Sequence, residues 1–128
     1  MASIVVEISN DKDLTVFNIE GPVTADDILN SKAKYYYIKE PTKHVIWDFS
    51  NGTVAKISAH EFHVLAQHMK PLSLMRKGGK TAIVAKKNID FGLSRMYTAY
   101  TSGEDLPINY RVFRDIESAT IWISQKEN

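Results

Sequence analysis

The stretch Lys80-Thr-Ala-Ile-Val-Ala-Lys-Lys-Asn-Ile-Asp-Phe-Gly-Leu-Ser-Arg-Met-Tyr-Thr-Ala-Tyr100 joins two kinds of hydrophobic pattern. Thr81 to Ala85 is an apolar run of strand length with no polar alternation. Such a strand is predicted to be buried on both faces, mid-sheet, with helices above and below. Ile89 to Tyr100 then places Phe91, Met96 and Tyr100 at roughly helical spacing. The unit reads as strand, short polar turn, helix.

Working toward the N-terminus, His44-Val-Ile-Trp-Asp-Phe49 is a second nearly apolar run, predicted to neighbour Thr81–Ala85. Asp48 falls near its C-terminal end, where open α/β sheets place ligand sites, and a loop from Ser50 to Ile57 is expected after it. Ser58-Ala-His-Glu61 has capping-box spacing. The helix it opens should bury Phe62, Leu65, Met69 and Leu72, with a kink or break at Pro71. Gly78-Gly79 ends that segment. Earlier still, Ile4–Ile8 and Leu14–Ile19 flank the turn cluster Ser9–Asp13 and read as a hairpin. Thr24 fits a helix N-cap, with Asp26 and Asp27 in the first turn. Ile28, Leu29, Ala33 and Tyr36 supply that helix with an apolar side. Three adjacent tyrosines, Tyr35 to Tyr37, cannot all point inward.

Toward the C-terminus, Gly103 to Pro107 is a loop and Tyr110–Arg114 a last strand. Asp115 caps a final helix with Ile116, Ala119 and Ile123 on one face. The order is β-β-α-β-α-β-α-β-α. It predicts one α/β domain over residues 1–128, a mostly parallel sheet of about five strands with one antiparallel edge, flanked by helices.

Composition bounds the function. With 128 residues, 44% hydrophobic and 24% charged, the chain can form a core without staples. It has no cysteine, hence no disulfide, thiol nucleophile or thiolate metal site. A net charge of +1 argues against a nucleic-acid binder. No apolar run is long enough to span a membrane and no leader pattern is visible, so a cytoplasmic protein without a transmembrane segment is expected. The charge is uneven: Phe62 to Ile89 holds no acid but has Lys70, Arg76, Lys77, Lys80, Lys86 and Lys87. The ordinary reading is solvated element ends, with Arg76 and Lys77 complementing a helix C-terminus. The functional reading is a face for an anion or a partner.

Two familiar chemistries are approached and missed. Gly79-Lys-Thr81 looks like the end of a phosphate loop, but Leu74 stands where the earlier glycine belongs and a strand follows instead of a helix. His60-Glu-Phe-His63 has the wrong spacing for a zinc-protease helix, since Val64 holds the position of the second histidine. No metal, cofactor or catalytic set is expected, and the protein is read as a non-enzyme.

The element order, the strand ending at Asp48, the segment Ala82–Ala85, Phe91-Gly-Leu-Ser-Arg-Met-Tyr97 and Val112-Phe-Arg-Asp115 with Ala119 and Trp122 together resemble the bacterial STAS-like, or anti-anti-sigma-like, family. Its fold is shared with sporulation anti-anti-sigma factors and with CRAL-TRIO lipid-binding proteins. The resemblance implies a regulatory or protein-interaction module. True anti-anti-sigma factors carry an Asp-Ser-Ser-Gly-like segment that supplies a phosphorylated serine. The stretch here, Ile57-Ser-Ala-His-Glu61, lacks the Asp and Gly, so Ser58 reads as a helix cap. The candidate binding residues are Asp48, Ser58, His60, Arg95 and Tyr97, facing another protein or a second copy of the chain. The alternative is a small apolar or anionic ligand, for which Tyr35–Tyr37, Met69, Met75, Met96 and Tyr97 are the groove candidates.

Overall fold

In the computed structural model, residues 2–38 and 41–125 are described. The chain runs β1 (Ser3–Ser9), β2 (Leu14–Pro22), α1 (Ala25–Ile38), β3 (His44–Thr53), α2 (Ala59–Ser73), a 3-10 turn (Leu74–Arg76), β4 (Lys80–Val84), α3 (Asn88–Gly103), β5 (Asn109–Phe113) and α4 (Ile116–Ser124). The five strands lie in sequence order in one sheet. The β1–β2 hairpin is antiparallel and every later pair is parallel. This is the α/β architecture the element order predicts, with β3 and β4 side by side as expected.

The sheet separates two cores. Side chains alternate across a strand, so Phe17, Ile19, Val45, Trp47, Phe49 and Ile83 face α1, α2 and α3. Leu14, Ile46, Ala82 and Val84 face α4, where Ala119 and Ile123 cover them. All five residues of β4 are buried. Its unbroken apolar run is the signature of a strand covered on both faces.

The caps form as the sequence implies. Thr24 Oγ1 accepts from the Asp27 N–H, while Asp27 Oδ2 accepts from the Thr24 N–H. Ser58 and Glu61 close the expected capping box, and Asp115 caps α4.

Five expectations change. β3 continues through the expected loop to Thr53, so Asp48 is mid-strand. A register shift sets Asp48 to Asn51 on β3 against Asn18 to Glu20 on β2. The extra residue is a bulge, and Asp48 Oδ1 accepts there from the N–H and Oγ of Ser50. α2 does not break at Pro71 but runs on to Ser73, although the proline has no N–H to donate to the Gln67 carbonyl one turn earlier. In α1, Tyr35 joins the core; the side chains of Tyr36 and Tyr37 lie outside the described residues. In α3, the deepest positions are Asp90, Ser94, Tyr97 and Thr101, and the apolar stripe of Phe91, Met96 and Tyr100 flanks them, half-buried. In α4, Ala119 and Ile123 are buried but Ile116 is exposed.

Candidate functional site

Between the sheet and its three-helix face lies a pocket of about 50 Å³, room for roughly three or four water-sized groups. Its floor is Phe17, Trp47, Phe49, Thr81, Ile83 and Tyr110 from the strands. Its roof is Lys32 and Tyr35 from α1, Phe62 and Met69 from α2, and Tyr97 from α3. The aromatic walls brace one another. Phe17 stacks on Trp47 at 4.0 Å and meets Tyr35 edge-on at 5.5 Å. Tyr97 meets Tyr110 edge-on at 6.0 Å. Each such pair adds about 1 kcal/mol beyond its buried area.

Tyr35 is fixed at its far end. Its hydroxyl lies 2.8 Å from those of Thr15 and Thr42, and the Thr42 N–H donates to it. This cluster ties β2, α1 and the approach to β3 into one wall of the pocket.

The polar groups are unusual for an apolar site. Lys32 is 5% exposed, and its Nζ stands 5.9 Å from the ring centroids of both Trp47 and Tyr97. It has no hydrogen-bond acceptor among the described residues. Among the described residues, no aspartate or glutamate lines the pocket. Burial away from water, reinforced by the positive Arg76, pushes the Lys32 ammonium down to about 7 from its ordinary 10.5. Near neutral pH, amine and ammonium are therefore both populated. Thr81 adds a second polar atom: its Oγ1 is buried without a hydrogen-bond partner among the described residues.

Arg76 also borders the pocket but works for the backbone. It is 3% exposed; its Nε donates to the Lys43 carbonyl and its Nη2 to the Lys80 carbonyl. It therefore joins the entries of β3 and β4 instead of complementing the end of α2. Lys80, from the same basic run, is buried too, and its Nζ holds the carbonyls of Trp122 and Gln125 at the end of α4. Lys70, Lys77, Lys86 and Lys87 are exposed, as solvated ends should be.

Of the sequence candidates, Tyr97 lines this pocket and the other four do not. Asp48 shares its strand face with Ile46, on the α4 side of the sheet, and is occupied by Ser50. Ser58 is exposed at the start of α2 and engaged with Glu61. His60, two residues on in the same first turn, is exposed. Arg95 is exposed on α3; Asp90, earlier on the same helix, is buried and accepts from Thr53 and Val54. Met69 and Tyr35 do line the pocket, whereas Met75 is exposed. No group of three or more metal-ligating side chains occurs among the described residues.

Lys32 escaped the sequence reading, although a signal was present. Ile28, Lys32 and Tyr35 are spaced i, i+4, i+7, one helical face. Treating lysine as polar rotates the apolar stripe onto Leu29, Ala33 and Tyr36.

A wider, shallow depression of about 640 Å³ opens at the entry edge of the parallel strands, beside Lys12, Lys43, His44 and Lys80. His44 Nδ1 accepts from the Lys80 N–H there. Burial first, then nearby Lys43, Lys80 and Arg76, lower the His44 pKa from 6.5. Lys80, the buried cation of this depression, already donates to the Trp122 and Gln125 carbonyls.

No protein-family model matches the chain, and no curated protein matches it. Among solved structures, it is similar to an uncharacterized protein of the DUF3478 family, with a SpoIIAA-like fold, from Shewanella loihica PV-4. The two are 18% identical, superpose with a TM-score of 0.54, and match over 95% of this chain and 93% of the other. The likeness establishes a SpoIIAA-like, that is STAS-like, fold, in agreement with the motif resemblance. No helix among the described residues is long and apolar enough to cross a membrane.

Proposed function

We propose that the protein binds a small molecule with an apolar body and a carboxylate head, taken into the pocket beneath α1, α2 and α3. One observation carries this reading: Lys32 Nζ is buried against aromatic rings with no acceptor among the described residues. A buried cation needs a partner, and among the described residues no side chain in this pocket supplies an anionic one. A carboxylate would supply it, with Thr81 Oγ1 as a further donor, while the aromatic walls take the apolar part. The pocket volume limits the body to a few carbon atoms unless the roof helices yield.

The test is an NMR titration with isobutyrate, read at the two tryptophan indole N–H resonances. Trp47 lines the pocket, whereas Trp122 packs on the opposite face of the sheet. The Trp47 signal should move and the Trp122 signal stay. Lys32→Met should weaken binding by about tenfold or more, the worth of one charge-assisted hydrogen bond. Equal shifts in both signals, or none, would discard the reading.

A second reading is self-association through the free sheet edge. β1 leaves Val5, Val6 and Ile8 56%, 45% and 41% exposed. Ser3-Ile-Val-Val-Glu-Ile-Ser9 is nearly palindromic. An antiparallel pairing about Val6 puts Ile4 against Ile8 of a second copy and Glu7 against Val5, with no like charges opposed. Val6→Lys should then shift a dimer to monomer in sedimentation experiments. For a protein partner of another kind, the exposed Ser58, His60 and Arg95 are the proposed contact residues. Replacing all three without changing any pulldown counts against that role.

A further inference from the structure

Lys32 places a nitrogen nucleophile in a pocket that no carboxylate of the described residues enters. Its side chain is buried, its Nζ stands 5.9 Å from the centroids of both the Trp47 and Tyr97 rings, and no donor or acceptor among the described residues engages its lone pair or its protons. Arg76, a second cation, borders the same space. An amine desolvated in an apolar pocket beside another cation is the arrangement by which lysines are made reactive toward carbonyl carbon. We propose that Lys32 forms a reversible imine with small aldehydes or ketones that enter this pocket.

The step balances without a co-reactant. The Nζ lone pair bonds to the carbonyl carbon, the carbonyl oxygen takes up a proton, and the carbinolamine loses water as nitrogen releases its own proton. Amine plus carbonyl gives imine plus one water. The buried Thr81 hydroxyl, which has no hydrogen-bond partner among the described residues, lines the same pocket and is the group available to hold the oxygen as it leaves. The aromatic walls restrict the carbonyl compound to an apolar body of a few carbons.

The chemistry should show at neutral pH. The lowered affinity of Lys32 for its proton, set by burial and then by Arg76, leaves a large fraction of neutral amine where a surface lysine has almost none. That advantage is about three orders of magnitude in amine fraction. Lower basicity returns roughly half of it on a logarithmic scale. The tyrosines Tyr35, Tyr97 and Tyr110 are the other titratable groups lining the pocket.

The inference rests on the pocket admitting small molecules, as the proposed function does, so the test uses one carbon skeleton in two forms. The intact protein is incubated at neutral pH with limiting isobutyraldehyde and cyanoborohydride, then digested and mapped by mass spectrometry. Lys32 should be modified on the order of tenfold faster than the exposed Lys34 and Lys70. Isobutyrate should slow modification at Lys32 and leave the others unchanged. Modification at Lys32 no faster than at Lys34 and Lys70 overturns the imine. If isobutyrate still shifts the Trp47 resonance in that case, only the covalent step is lost. If it does not, the binding reading falls as well.

Discussion

Lys32 Nζ stands 5.9 Å from the centroid of the Trp47 ring, on a side chain that is only 5% exposed. The ring is itself stacked on Phe17 at 4.0 Å, so it cannot turn away from the amine. The contact is near the outer limit of useful cation–π attraction and replaces little of the lost hydration. α1 thus carries an energetic cost into the core.

That cost depends on pH. The unfolded chain holds a proton at Lys32 up to 10.5, the folded chain only to about 7. Between these values the unfolded state binds more protons, so stability rises with pH. The penalty is complete below about 7 and absent above 10.5. Its ceiling is on the order of 5 kcal/mol. Lys32→Met should be more stable than wild type at pH 6, and the gap in urea midpoints should close toward pH 10. Parallel curves for the two proteins would remove the buried-amine account.

Asp90 fastens the end of β3 to the start of α3. Its Oδ1 accepts from Thr53 Oγ1 at 2.7 Å and from the Val54 N–H at 2.9 Å. Asp90→Ala strands a buried N–H and should cost about 2–4 kcal/mol. Hydrogen exchange at the Val54 amide should accelerate by more than at amides in β4. An unchanged Val54 amide would show that water replaces the carboxylate.

Gly79 passes against the backbone of Lys43. A Cβ at Gly79 would fall 2.0 Å from the Lys43 carbonyl oxygen, whereas one at Gly92 meets nothing within 4 Å. Gly79→Ala should therefore destabilise by several kcal/mol, since backbone on both sides must shift. Gly92→Ala, inside α3, should stabilise by up to about 1 kcal/mol. Thermal unfolding of the two variants checks the contrast, and a tolerated Gly79→Ala would contradict the β3–β4 entry geometry.

Lys80 Nζ donates to the Trp122 carbonyl at 2.9 Å and to the Gln125 carbonyl at 2.7 Å. It closes the C-terminal end of α4 from inside the sheet. Lys80→Met should loosen α4 by about 1–3 kcal/mol, seen as faster exchange of α4 amides with β3 and β4 still protected. Uniform exchange across the sheet would place the damage in the core instead.

The sequence by itself determined the architecture. The nearly apolar run at His44–Phe49 and the apolar run at Thr81–Ala85, capping residues at Thr24, Ser58 and Asp115, and the hairpin turn before Leu14 are local signals, and local signals set element type and order. It also placed Tyr97, Met69 and Tyr35 among the groove candidates. Only the tertiary structure decided which residues share the pocket. Lysines 32 and 80 and Arg76 look like solvent cations in sequence, yet all three are buried. Arg76 and Lys80 are matched by carbonyls from distant strands and from α4. Lys32 is matched by none among the described residues, and burial, reinforced by Arg76, resets its proton affinity. A charge's partner, or its lack of one, is a property of chain segments brought together by folding. No local pattern encodes it.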